Sequence, residues 1–403
     1  MSKIIYLPPP AHGHLNPALP VVQELTQRGE QIVCYNTEEF RPQIERAGAT
    51  FRAYPASDLT SAEISRVLQD GNLANATGLI LRSTEQLLPF VLDELARERP
   101  ELVIFDSIAL WGKMASTQLG LAAAALIGHL VMDEKLMTPV DLLRMLWQHL
   151  PKVPGILTAR RRLMRRYGKA YPATSPLFPM RGGLNIVFTT RDLQPESSII
   201  DETFHFVGPS INPQSRGEEY PFATLEQKPM VYISLGTVHS AQPEFYRTCF
   251  DAFADFPAHF ILSAGQRTDL DSLGPVPANF VVRPFVPQLK VLHRAELFIT
   301  HGGINSVHEG LYYGVPLILI PQQFEQLLNA RCVAARGAGL IIENHQQRKP
   351  IAAAQLRGAL EVILAEPGYR ESARKLQLAM RAAGGYQAAA NLIQTYLVRP
   401  PVV

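Results

Sequence analysis

Short, almost wholly apolar runs recur along this chain, separated by amphipathic stretches, and that alternation is the strongest constraint on its fold. In the first half the runs lie at 4–7, 31–35, 102–105 and 186–189; in the second, at 231–235, 260–262, 280–282, 297–300 and 317–320. Strands that are apolar at successive positions are buried on both faces. Helical periodicity fills intervening segments at 18–28, 85–97, 242–254 and 329–336. Strands of this kind alternating with helices form parallel sheets covered on either side. The length of 403 residues exceeds what one ordinary core fills, so two such domains are expected. Pro209, Pro213, Pro221 and Pro229 break the alternation and mark a linker. The expected division is 1–208, a linker at 209–229, a second domain at 230–385, and a final helix and tail at 386–403. Apolar positions on that last helix require a packing partner, and the first domain is one candidate.

Several classes are disfavoured by composition and by missing motifs. A net charge of +2 gives no argument for nucleic acid. Cys34, Cys249 and Cys332 are far apart among apolar neighbours, forming neither a metal spacing nor a disulfide framework, which fits a reducing compartment. The first apolar run is cut off by Pro8, Pro9 and Pro10 and does not read as a signal peptide. The apolar stretch 119–132 is too short and too interrupted to span a bilayer. A cytoplasmic location with no integral membrane segment is therefore expected. The first strand is not followed by G-x-G-x-x-G, which disfavours a dehydrogenase, and no G-x-x-x-x-G-K-[ST] loop is present. No Asp-x-Asp stands at a strand end, so no metal site is expected.

Two segments carry chemistry. The run 297–300 leads into His301-Gly302-Gly303-Ile304-Asn305-Ser306 and a helical stretch ending near Gly314. A strand, two glycines and a helix N-terminus make an anion site, because unbonded backbone N–H groups and the helix dipole converge there. His301, Asn305 and Ser306 add side-chain donors. Glu309, one turn beyond Asn305, shares its helix face. A carboxylate would repel phosphate but would accept hydrogen bonds from sugar hydroxyls, so a sugar-containing diphosphate is the ligand suggested. The second segment, Pro10-Ala11-His12-Gly13-His14-Leu15-Asn16-Pro17, follows the first strand. A histidine there, at the carboxyl edge of the sheet, suits a general base; a local loop or cap role reads equally well from the residue alone. Asp106, ending the run 102–105, either orients that imidazole or caps the next helix.

The chain resembles the inverting nucleotide-sugar glycosyltransferases of the bacterial macrolide-type branch, which are related to plant natural-product glucosyltransferases. The resemblance rests on Phe285-Val286-Pro287-Gln288, on His301-Gly302-Gly303-x-Asn305-Ser306-x-x-Glu309, on Gly314-Val315-Pro316, and on Pro321-x-x-x-Glu325-Gln326. The segments 11–17, 184–188 and 234–237 extend it along the chain. It implies the GT-B architecture, an α/β fold of two doubly wound parallel-sheet, Rossmann-like domains facing across a cleft, with the acceptor on the first and the donor on the second. His14 would be the base and Asp106 its partner. His301, Gly303, Asn305 and Ser306, with Ser234, Gly236 and Thr237, would hold the diphosphate. Glu309 would take the ribose, and Gln288 with Phe285 and Val286 the nucleobase. Glu325 and Gln326 would hold the transferred sugar, although without the preceding motif an ordinary solvated helix start is the favoured reading of them. The plant signature has tryptophan where Phe285 stands and aspartate where Glu325 stands. The co-substrate implied is a nucleotide diphosphate sugar, UDP-glucose before a TDP-sugar, with no cofactor. The acceptor implied is a lipophilic alcohol such as a polyketide, macrolide or phenolic.

Other residues have plainer explanations. His12, His239 and His308 read as structural or solvated, and Gly384-Gly385 as a break between helices. The segment 129–171 carries Met132, Met137, Met145, Trp147 and Met164, which suit an adaptable apolar acceptor pocket or a helical pair burying its own core. The basic cluster from Arg160 to Lys169 reads as a solvated helix face, or as a surface for an acidic acceptor, an acyl carrier or an anionic membrane. Two competing functions share the architecture: a nucleotide-sugar epimerase, which would need no acceptor, and a non-catalytic nucleotide-sugar-binding homologue.

Overall fold

The computed structural model describes residues 1–69, 72–132, 147, 150–172, 179–213, 229–236, 242–343 and 350–398. The chain divides into two units, Met1–Ile211 with Ala383–Val403, and Asn212–Ala382. Met137, Met145, Thr237, His239 and most of the expected linker lie outside the described residues.

The first unit runs β1 (Lys3–Leu7), α1 (His12–Gln27), β2 (Gln31–Asn36), α2 (Arg41–Arg46), β3 (Thr50–Ala53), α3 (Ser61–Gln69), α4 (Leu73–Glu98), β4 (Leu102–Asp106), α5 (Leu110–Gln118), β5 (Ala123–Ile127), α6 (Val153–Tyr167), β6 (Leu184–Val187) and β7 (Phe204–Phe206). Its strands form one parallel sheet in the order β3-β2-β1-β4-β5-β6-β7. The period-two alternation of side chains distributes each strand between two cores. Ile4 and Tyr6 pack with α1, while Ile5 and Leu7 pack with α4 and α5. The chain winds outward from β1 one way and from β4 the other, so the β1–β4 junction is the point where ligands bind in sheets of this kind.

The second unit repeats the plan. It runs β8 (Met230–Ser234), α7 (Pro243–Phe253), β9 (His259–Ser263), β10 (Phe280–Arg283), α8 (Gln288–Leu292), β11 (Leu297–Thr300), α9 (Ile304–Tyr312), β12 (Leu317–Leu319), α10 (Phe324–Ala335), β13 (Gly339–Ile341), α11 (Ala353–Ala365) and α12 (Pro367–Ala382). The sheet is parallel, in the order β10-β9-β8-β11-β12-β13, with its switch point between β8 and β11. Thr300 and Ser234 stand side by side at that point.

The last helix, α13 (Gly385–Val398), belongs to the first unit. Ala389, Ala390 and Ile393 are fully buried in the core that α1 shares with the sheet. Arg28, at the C-cap of α1, bonds Asn391 and Gln394 at the rim of that core, and Gln394 donates to Glu30. No helix among the described residues is long and apolar enough to cross a membrane.

The expected two-domain α/β plan is the observed one, with local corrections. Strands β3, β5, β7 and β13 were not expected: β7 and β13 have three residues each, and β5 is largely alanine, a poor strand former. Helix α1 starts at His12, six residues before the expected 18, and holds Pro17 and Pro20 inside it. His14 is therefore a first-turn helical residue. The prolines disguised the start, since each removes a helix hydrogen bond that packing of Pro17, Pro20 and Leu15 into the core offsets.

Candidate active site

At the switch point of the first unit, His14 from α1 meets Asp106 at the end of β4. Nδ1 of His14 lies 3.0 and 3.1 Å from the two carboxylate oxygens. Asp106 is 2% exposed, while the imidazole keeps a quarter of its surface in solvent. A carboxylate only accepts, so Nδ1 carries the proton and Nε2 is the basic nitrogen. Asp106 Oδ1 also accepts from the backbone N–H of Ile108 at 3.0 Å. The two roles open at the sequence level are thus combined in modified form: the carboxylate turns the chain and meets the imidazole, but α5 begins at Leu110 with Ala109 at its N-cap.

A neighbouring pair carried no sequence signal. Ser107 Oγ lies 3.0 Å from His129 Nε2, and His129 Nδ1 lies 3.0 Å from the Leu130 carbonyl. The carbonyl can only accept, so the serine hydroxyl donates to Nε2. The residues are joined because β4 and β5 are adjacent, with Asp106 opposite Leu126. His12 stays exposed with its ring edge-on to Phe40 at 4.8 Å, as a structural histidine would.

In the second unit the strand–glycine–helix element is built as its sequence demands. Gly302 takes φ +80°, a backbone state that side chains resist, and this turns the chain from β11 into α9 with Gly303 at the N-cap. Backbone N–H groups of the first turn of α9 find no acceptor within a helix. The imidazole of His301 lies between two glycines. A Cβ on Gly236 would fall 2.6 Å from its Cε1, and one on Gly303 2.3 Å from its Nε2. Ser234 Oγ accepts from the Gly236 N–H at 3.3 Å, holding the facing loop in its turn. Asn305 and Ser306 occupy the first turn, both half-buried. Asn329 of α10, unremarked in the sequence, donates from Nδ2 to the Gly302 carbonyl at 3.1 Å and pins the loop from behind.

Glu309 is 5% exposed and accepts from Gln288 Nε2 at 2.6 Å. Gln288 Oε1 accepts from the Tyr232 hydroxyl at 3.2 Å. Val286 is buried, whereas Phe285 is 59% exposed. Glu325 is exposed in the first turn of α10. Gln326 is buried, and its Oε1 accepts from the backbone N–H groups of Gln322 and Gln323 at 2.8 and 3.2 Å, closing a capping box. His308 is buried on α9, and desolvation lowers its pKa to about 3, so it is neutral. Among the described residues no group of three His, Cys, Asp or Glu side chains is placed to hold a metal ion.

The chain is similar to known proteins over nearly its whole length. Residues 212–380 match the family described as UDP-glucoronosyl and UDP-glucosyl transferase. Over 391 residues the chain is 32% identical to the NDP-glycosyltransferase YjiC of Bacillus licheniformis, covering 96% of each. The chain belongs to the bacterial GT-B glycosyltransferases. This glycosyltransferase is also 28% identical over 401 residues to the oleandomycin glycosyltransferase of Streptomyces antibioticus, covering 96% of the chain and 89% of that protein. Its fold matches the crystal structure of CalG4, the calicheamicin glycosyltransferase, with a TM-score of 0.82 and 28% identity over the full length of both chains.

Proposed function

We propose that this glycosyltransferase moves a hexose, glucose from UDP-glucose in the first instance, onto a hydroxyl of a lipophilic small molecule such as a polyketide, macrolide or phenolic, with inversion at the anomeric carbon. The observation that carries the reading is the His14–Asp106 pair, with its 3.0 Å contact and buried carboxylate. A non-catalytic nucleotide-sugar-binding homologue would have no use for such a base, and a nucleotide-sugar epimerase, which acts on the donor alone, would form product without any acceptor.

In this mechanism Nε2 of His14 takes the proton of the acceptor hydroxyl. The acceptor oxygen forms a bond to the anomeric carbon as the bond from that carbon to the diphosphate breaks. The electron pair of the broken bond leaves on the diphosphate, and an α-linked donor gives a β-glycoside. Asp106 stabilises the imidazolium that forms. Charge growing on the diphosphate meets His301, Asn305, Ser306 and the N-terminus of α9, with Ser234 and Gly236 opposite and Thr237 as a further donor. Glu309 takes the ribose hydroxyls, Phe285 stacks on the base beside Val286 and Gln288, and Glu325 with Gln326 holds the sugar. A helix N-terminus and an imidazole supply what a divalent cation would, so transfer is expected to persist in EDTA.

The test is incubation with UDP- and TDP-sugars and a panel of phenolic and macrolide alcohols. A mass gain of one hexose on the acceptor, with a β anomeric coupling by NMR, is the expected result. Donor consumption with no acceptor present, or retention of configuration, would overturn it.

A further inference from the structure

The basic helix of the first unit has a use that sugar transfer does not assign to it. Between 142 and 191 the chain contains no aspartate or glutamate, while Lys152, Arg160, Arg161, Arg162, Arg165, Arg166 and Lys169 crowd into and around α6. The helix is fixed to the unit by its inner side. Ala159 and Leu163 are buried in the core shared with α4, and Arg162 makes a bidentate pair with Glu85 of α4 at 2.7 and 2.8 Å. Arg160 turns inward over Tyr171. The outer side is unlike an ordinary solvated face. Residues 157, 161, 164 and 165 share it by helical spacing, and they are Leu157, Arg161, Met164 and Arg165.

Leu157 is 39% exposed and Met164 45%. Just before the helix, Trp147 is 70% exposed and Leu150 56%. Exposed apolar side chains set among cations in a segment free of acidic residues are the pattern of a helix that lies in a membrane interface, where the apolar groups enter the acyl boundary and the cations meet lipid phosphates. An acidic protein partner would match the charge but would need its own apolar pockets for the tryptophan and leucines, whereas a bilayer supplies phosphate and acyl boundary together.

We infer that the outer face of α6, with Trp147 and Leu150, docks this glycosyltransferase on an anionic lipid bilayer surface. The attachment is peripheral and electrostatic in its reach, since each lysine or arginine near such a surface contributes modestly and salt screens it within about 8 Å at physiological strength. It stands independently of which sugar or acceptor the enzyme uses.

The test is co-sedimentation of the full chain with vesicles of phosphatidylcholine containing phosphatidylglycerol, against vesicles of phosphatidylcholine alone. Binding to the first only, reversed by salt, is expected. Of the two tryptophans, Trp111 is buried and Trp147 exposed, so a blue shift of emission on binding that disappears in Trp147→Phe reports insertion at this face. The triple variant R161E/R165E/K169E should bind roughly a hundredfold more weakly, and L157S/M164S roughly tenfold, with unaltered circular dichroism and melting. The inference is overturned if the full chain ignores both kinds of vesicle, if the triple variant binds like the parent, or if polyglutamate captures the protein while vesicles do not.

Discussion

Gln288 and Glu309 are held together by a 2.6 Å hydrogen bond from amide to carboxylate, and Tyr232 closes the arrangement by donating to the other end of the amide. One residue opens α8 and the other lies on α9, so the bond ties the start of α8 to the middle of α9. A nearly buried carboxylate needs such a donor, because desolvating it without partners is costly. The proposed ribose contact of Glu309 is therefore coupled to Gln288.

Replacing Gln288 by alanine should raise the donor KM about tenfold and destabilise the second unit by about 1–3 kcal/mol, the cost of stripping a partner from a buried group. Gln288→Glu should be worse, since two carboxylates would share the site. Calorimetric titration with UDP, together with thermal melting, reads both effects; an unaltered KM would separate Gln288 from the donor.

His14→Ala should lower transfer by about 10²–10⁴-fold, the usual contribution of a general base, while UDP affinity stays within about twofold. Asp106→Asn, which keeps the shape but loses the charge that fixes the tautomer, should fall in the same range. Single-turnover rates with saturating donor make the comparison, and full activity in either variant would remove the pair from the mechanism.

Gly303→Ala places a Cβ where the His301 ring now lies, 2.3 Å from Nε2. The imidazole must move, so nucleotide diphosphate affinity should drop at least about tenfold while the first unit melts normally. Gly155→Ala, at a position with nothing within 4 Å of the added Cβ, serves as the control. Equal affinity in the two variants would mean that His301 does not contact the diphosphate.

His308 gives a pH signature. Its folded pKa, lowered by burial to about 3, lies below the unfolded value of 6.5. The unfolded state therefore binds the extra proton first, and stability is lost as pH falls from about 6.5 toward 3. The loss by pH 4 should be on the order of 3 kcal/mol from this group. In His308→Gln the stability at pH 7 should be somewhat lower but its slope between pH 6.5 and 4 flatter. Identical slopes, followed by urea unfolding at each pH, would contradict this.

Ile393→Ala tests the anchoring of α13. The side chain is fully buried among α1 and the first sheet, so about 2–5 kcal/mol of stability should disappear, and the first unit alone should melt earlier. Domain-resolved calorimetry distinguishes that from a change in the second unit.

Much of this was legible in the chain because it rests on local rules. Apolar runs of four or five residues separated by helical patterns imply parallel sheets, and the paired glycines after 297–300 imply an anion-binding turn at the start of α9 whatever surrounds them. His301, Asn305, Ser306 and Glu309 fall within nine residues, so their proximity follows from one turn and two turns of helix. The edge strands β7 and β13 were not legible, since Phe-His-Phe is broken by a polar residue and Gly-Leu-Ile opens on a glycine, and both exist only where a neighbouring strand supplies the hydrogen bonds.

What folding alone settled is which distant groups share a hydrogen bond. His14 and Asp106 are 92 residues apart, and only the adjacency of β1 and β4 brings them to 3.0 Å. The same holds for Ser107 with His129 and for Asn329 behind Gly302. Tertiary packing also supplied protein partners that the sequence does not show, the backbone N–H groups of a helix cap for the Gln326 carbonyl and Glu309 for the Gln288 amide. The physical reason is range. Backbone geometry and hydrophobic period act over a few residues and are written in order along the chain, whereas a hydrogen bond acts over about 3 Å and chooses its partner only after the strands have taken their places.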